Sequence, residues 1–251
     1  MKEKVQGSGD LFGLAPAARA TEKLTDGVVD GVAAFLGRIC LPAAEEFGLL
    51  LRDQVGAWRQ RNAVLIALEA EKQLSDAQAP PVFAPPRLAF AVLDHGSWID
   101  DEHVRNMWAG LLASSCSPDG ADDSNLIFID LLSQLTNAQA RILDHACARV
   151  EKECNSLGLV MQAAPLMLPL EELLGIARVD ELSRLDREMD HLRSLDLLSA
   201  GICYEEPDPV DATPTALALY LHTRASGHSG TLKEFYEVSS GPDVKEGEAE
   251  G

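Results

Sequence analysis

Five cysteines in 251 residues, none in a C-x-x-C pair, are too few and too scattered for a disulfide framework or a zinc knuckle. Cys40, Cys116, Cys147, Cys154 and Cys203 read instead as buried thiols in a reducing compartment. Cys147 and Cys154, seven apart, are expected on one face of a single helix. Aromatic residues are sparse at 5%, while alanine and leucine dominate, which favours helix over sheet. Positive charge is scarce as well: 21 Lys and Arg face 40 Asp and Glu, a formal net charge of −19. The deficit grows along the chain, from −2 over residues 1–80 to −6 over 81–170 and −11 over 171–251. With no run of Lys and Arg, such a surface repels a phosphate backbone and an anionic bilayer. Nucleic acid and stable membrane insertion are therefore disfavoured among partners. The most apolar stretch, Val28 to Ala44, contains Asp30 and Arg38 and is interrupted by Pro42. Its charge-free core, Gly31 to Gly37, falls far short of the ~20 residues a spanning helix needs. The first ten residues, MKEKVQGSGD, lack the apolar core of a secretory signal, so the expected location is the cytoplasm.

Signatures of chemistry are missing too. There is no G-x-x-x-x-G-K-[ST], no G-x-G-x-x-G and no G-x-S-x-G, and no two of the six histidines form H-x-x-x-H. The EAEK run at Glu69 has the wrong spacing for a nuclease carboxylate–lysine set. The expectation is a protein that is not an enzyme, with no catalytic, cofactor-binding or metal-binding residues and no cofactor. Asp100 and His103, three apart, could both touch a metal, but a site needs more ligands than that, and acidic capping with a surface histidine explains them. His222 and His228 flank a TRASG segment and read as solvent-facing.

What is present is helical periodicity. Residues 1–16 read as a flexible arm, 17–79 as a helical arm, 80–160 as a central helical domain, 161–238 as a winged-helix-like module with a short β-hairpin, and 239–251 as a disordered acidic tail. The expected fold is thus mainly α. Phe47, Leu51, Val55, Trp58, Asn62 and Leu65 step by four or three along one long helix face. Asn62 interrupts that stripe and must hydrogen-bond if buried. Prolines in DAQAPPVFAPPR close the arm. RLAFAVLDHG follows as a helix ended by Gly96, and Ser97 with Asp100 sits close to a capping-box arrangement for the next one. Val104, Met107, Trp108, Leu111 and Leu112 form that helix's apolar stripe. Thr136 and Gln139 form a capping box that opens a helix expected to reach Cys154. In the last third, two helices, a strand at GICYEE, a Pro/Asp turn and TPTALALYLHTRA follow the order of a winged helix. Its second helix balances Arg184, Arg187 and Arg193 against six carboxylates, too few net cations for counterion release. Asp196, at the helix-to-strand junction, is expected in a left-handed conformation.

Trp58 and Trp108 are expected in the core, and Trp98 as a staple before the acidic turn. Because tryptophan and arginine are enriched at interface hot spots, Trp58, Arg59, Asn62, Trp98, Met107 and Trp108 are the candidate interaction residues. The implied partner is a protein or a second copy of the chain, as a homo-oligomer.

Three segments carry a family resemblance: LPAAEEFGLLLRDQVGAWRQRNAV from Leu41, PPRLAFAVLDHGSWIDDEHVRNMWAGLLASS from Pro85 and FIDLLSQLTNAQARILDHA from Phe128. With Trp58-Arg59 and Asn62, Met107-Trp108-Ala109 and the closing LRSLDLLSAG and TPTALALY, the chain resembles the Abi-alpha family over about Leu41 to Leu221, with Asp196 where glycine is usual. The resemblance implies a bacterial defence that sacrifices the phage-infected cell, and it brings no catalytic motif. The function expected from it is a non-enzymatic protein-interaction component of anti-phage defence. Two alternatives stand beside it: a membrane-perturbing effector acting through the amphipathic segment 28–41, and a winged-helix DNA-binding regulator.

Overall fold

The computed structural model describes residues 26–40, 54–75, 82–203, 205 and 208–238. These form ten helices and two small antiparallel strand pairs, the mainly helical fold that the alanine- and leucine-rich composition predicts. The arm at 1–16, the apolar steps Phe47 and Leu51, the proline-rich segment at 76–81 and the tail at 239–251 lie outside the described residues.

Helix α1 (Asp26–Ile39) turns Val32, Phe35, Leu36 and Ile39 inward, an i, i+3, i+4, i+7 stripe, and all four are buried. It packs on α2 (Gln54–Ser75), whose Ala63, Val64, Ile66, Ala67 and Ala70 are fully covered. Pro86 opens α3 (Pro86–Gly96), where a missing N–H costs nothing. Gly96 is the last helical residue of α3, and close packing explains it: a Cβ there would meet Ile66 Cδ1 at 2.6 Å and the Trp108 ring at 3.1 Å. α4 (Glu102–Ser114) is the central rod, and its longest packing interface is with α2. It is capped by Asp101, whose side chain accepts from Val104 N at 3.2 Å, so Ser97 is not part of its cap. α5 (Leu126–Gln134) and α6 (Asn137–Arg149) follow, the latter opened by the predicted Thr136–Gln139 capping box.

The helix expected to reach Cys154 stops at Arg149. Val150 is extended, and β1 (Lys152–Cys154) pairs antiparallel with β2 (Val160–Gln162). Asn155 Oδ1 accepts from the N–H groups of Leu157 and Leu159, and Gly158 takes φ +81, which closes the hairpin. Cys147 and Cys154 consequently share no helix face. β3 (Met167–Leu168), α7 (Leu170–Ala177), α8 (Leu182–Ser194) and β4 (Val210–Asp211) come next, with β3 pairing β4 and a bridge joining Leu198 to Pro214. The described residues of GICYEE are loop; the pairing strand lies further on, at Val210. Asp196 has φ 58, as its junction position predicts. α9 (Ala216–Ala225), capped by Thr215, runs back across α4 and α6, and α10 (Leu232–Phe235), opened by a second capping box, is the last described helix. Buried side chains from Val32 to Leu232 form one contiguous core.

Candidate functional site

Four of the six candidate interaction residues meet at one place. α2 brings Trp58, Arg59 and Asn62 along one face, at i, i+1 and i+4, beneath the turn that links α3 to α4. Asn62 is fully buried, and its Nδ2 donates to Ser97 O at 3.0 Å. Arg59 donates through Nε to Ser97 Oγ at 3.0 Å and through Nη2 to Asp94 Oδ1 at 2.6 Å. Ser97 Oγ in turn donates to Asp94 O at 2.8 Å. The serine is buried because it is the hub of this network. The Arg59 guanidinium lies 4.3 Å from the Trp98 ring centroid, a cation–π distance. Trp58 packs tilted against Trp98 at 6.0 Å and donates its indole N–H to Asp100 Oδ1 at 2.9 Å. Trp58, expected in the core, is therefore half-buried at the rim, and Trp98 is 51% exposed. Met107 and Trp108 do not reach this surface. They are core residues of α4, and Trp108 stacks on His95 at 5.9 Å and 13°. The structure thus separates the candidates into a surface clamp and the floor beneath it.

A second constellation was not read from the sequence. Asp144, on α6, stands between His103 of α4 and His222 of α9. Its Oδ1 is 3.3 Å from His222 Nε2 and its Oδ2 is 3.9 Å from His103 Nε2. His222 Nδ1 meets Tyr236 OH at 2.8 Å, and the two rings stack at 11°. In neutral His222 the Nε2–H tautomer satisfies both contacts, with Tyr236 O–H donating to Nδ1 and Nε2–H donating to Asp144. The hydrogen bond from His222 holds the Asp144 carboxyl below the usual range, aided by the nearby charges of His222, His103 and His145 against the opposing effect of burial. Burial, foremost, pushes the Tyr236 phenol up, so it stays protonated, and Lys152 Nζ sits 4.5 Å from its ring. His222 is only 11% exposed at its side chain, so the solvent-facing reading of this histidine is corrected: it sits on α9, where Asp144 and Tyr236 hold it.

These groups line a cavity of about 190 Å³ that opens between α2, α4, α6 and α9. Its polar wall is Gln73, His103, Asn106, Asp144, His222 and Ser226, and Met107 and Ala225 supply the apolar side. His103 Nε2 and Gln73 Oε1 are buried without a hydrogen-bond partner among the described residues. Asp100 and His103, weighed together as metal ligands, part company: Asp100 turns to Trp58 and His103 to Asp144. Among the described residues no three His, Cys, Asp or Glu side chains are placed to hold a metal ion. Cysteine chemistry is muted as well. Burial pushes the Cys116 thiol to about 12 and raises that of Cys147 further, and only Cys203 is exposed. No described helix is long and apolar enough to cross a membrane.

Fold and site together define a mainly helical protein with a hydrogen-bonded tryptophan–arginine surface clamp and a small cavity lined by a histidine–aspartate cluster. The chain belongs to the abortive infection alpha family (Abi_alpha), whose family model matches residues 61–220. Asn62, Trp98, Met107 and Trp108 fall inside that span, with Trp58 and Arg59 just before it. No curated protein and no solved structure matches the chain. Membership ties it to abortive infection, a defence against phage.

Proposed function

We propose that this chain is a non-enzymatic interaction component of abortive-infection defence that engages a protein partner through the Trp98 surface. One observation carries the reading. Trp98 is half exposed, yet its ring is fixed by Arg59 on one side and Trp58 on another, and its backbone neighbour Ser97 is pinned from three directions. An exposed aromatic with its side-chain entropy already spent binds without paying that cost again. Tryptophan and arginine are also the residues that carry most interface energy.

Three further features support the proposal over its alternatives. The hydroxyl among the cavity's lining residues, that of Ser226, donates to His222 O at 2.8 Å, so it is tied to its own helix rather than aimed at a substrate. On α8, Arg193 pairs with Asp190 at 2.9 Å and Arg184 approaches Glu188 at 3.6 Å, which leaves that helix few cations for phosphate. We read residues 161–238 as a winged-helix-like module used for protein contact or internal packing. The apolar face of α1, on which membrane perturbation would depend, is spent in the core through Val32 and Phe35.

Trp98→Ala tests the proposal. Because half of the ring faces solvent, the variant should fold, its melting temperature lowered only by loss of the Arg59 and Trp58 ring contacts. It should lose phage protection, measured as efficiency of plating, and lose the partner that co-purifies from infected cells. Wild-type protection by Trp98→Ala, or turnover of nucleotide or cleavage of nucleic acid by the purified wild-type protein, would overturn it.

A further inference from the structure

We propose that the cavity between α2, α4, α6 and α9 binds a small organic cation, a primary alkylammonium group, with Asp144 as its counter-ion. Among its described lining residues the wall carries one carboxylate, Asp144, and no Lys or Arg, so with His103 and His222 neutral an anionic ligand finds no counter-charge there. His222 occupies one carboxylate oxygen of Asp144, and its own two ring nitrogens are both engaged. The other oxygen, Oδ2, faces His103 Nε2 across 3.9 Å, too far for a direct hydrogen bond. His103 Nε2 and Gln73 Oε1 are buried polar atoms without a hydrogen-bond partner among the described residues, and both residues line the same space.

As its Nδ1–H tautomer, His103 presents an acceptor. The residues that line the cavity then carry three acceptors, Asp144 Oδ2, Gln73 Oε1 and His103 Nε2, the last two covered by protein until a ligand shifts the side chains over them. A primary ammonium has three N–H donors and one charge, which matches both the count and the sign. Met107 and Ala225 offer apolar surface for the alkyl stem, and about 190 Å³ is of the size that holds a small organic molecule. The field of a chain with net charge −19 concentrates cations around it. The lowered pKa of Asp144 keeps its charge available at neutral pH. This proposal is independent of the docking role assigned to Trp98.

The test is titration of the full-length protein with n-butylammonium chloride at neutral pH, with sodium butyrate and n-butanol as the charge-reversed and neutral probes of the same length. Binding is followed by calorimetry and by the ring ¹⁵N resonances of His103. The expected result is saturable binding of butylammonium with Kd of about 1 mM or tighter. Neither control should compete, and the His103 Nε2 resonance should move on saturation. Asp144→Asn should weaken binding at least about tenfold. If that variant does not fold, Gln73→Leu keeps the charge, removes one acceptor and should weaken binding about threefold to tenfold. Absence of saturation, equal binding of butyrate or butanol, an unmoved His103 resonance, or undiminished affinity in a folded variant would each overturn the proposal.

Discussion

Gly110 shows how much of this molecule rests on a single missing methyl group. It lies midway along α4, and a Cβ there would overlap the carbonyl oxygen of Ala225 at the end of α9. Backbone cannot retreat as a flexible side chain can, so Gly110→Ala must push α9 away from α4 despite alanine's better helix propensity. The expected cost is about 2–3 kcal/mol, read as a lower urea midpoint with an unchanged slope. Asp196 poses the opposite case. Its φ of 58 suits glycine, while its side chain is exposed. Asp196→Gly should fall within about 0.5 kcal/mol of wild type, because relief of backbone strain offsets the greater freedom of the unfolded glycine. Asp196→Val, with a branched side chain in the left-handed region, should cost about 1–2 kcal/mol. Equal stabilities for Gly and Val would contradict the strained-junction account. Asp196 could be read from the sequence because helix ends constrain backbone locally. Gly110 could not, because its reason lies 115 residues away.

The same division holds among the elements. The Thr136–Gln139 box, the α4 stripe of Val104, Met107, Trp108, Leu111 and Leu112, and the buried stripe of α1 were legible because capping and 3.6-residue periodicity are local signals. The β1–β2 hairpin was not, because three-residue strands leave too little alternation to detect. The Asn155 and Gly158 pair was the available cue. The clamp was half legible: Trp58, Arg59, Asn62 and Trp98 were singled out by residue type, but only the fold shows that Ser97 joins them. The histidine–aspartate cavity was illegible, since His103, Asp144 and His222 are dozens of residues apart and each has a nearer carboxylate or loop to explain it. Tertiary docking also adds a second duty to the α6 capping box. Thr136 Oγ1 donates to Glu188 Oε2 at 2.9 Å, Gln139 Nε2 donates to Glu188 O at 3.3 Å, and His191 Nδ1 meets Gln139 Oε1 at 3.1 Å. The cap of α6 is thereby the seat of α8. Thr136→Val should destabilise by about 1–3 kcal/mol, since it strands the buried Glu188 carboxylate, and Glu188→Leu should cost less, since Thr136 is exposed to water. The double variant should cost less than their sum by at least about 0.5 kcal/mol. Additive costs would show that the cap and the α8 contact act separately.

At the scale of the whole molecule, charge sets the response to solvent. Asp144 is held below its unfolded pKa by His222 first, so its contribution to stability is present above about pH 4 and is lost as pH falls through the folded value. Wild type should therefore lose more stability than Asp144→Asn as pH drops from about 5 to about 3, in urea titrations at each pH. Salt acts on the chain's surplus. The ion pairs Arg59–Asp94 and Arg141–Asp101 have well-covered arginines, at 15% and 17% side-chain exposure, and are screened weakly. Exposed pairs such as Arg38–Glu71 and Lys72–Glu69 are each worth about 0–1 kcal/mol and are screened readily. Against those small losses stands the surplus of Asp and Glu over Lys and Arg, which gives the chain its net charge of −19. Repulsion among them is long-ranged and is cut once the Debye length shrinks from about 30 Å at 0.01 M to about 8 Å at 0.15 M. Relief of repulsion outweighs loss of pairing, so the melting temperature should rise with sodium chloride over that range. A fall would mean that the ion pairs, rather than the core running from Val32 to Leu232, hold the helices together.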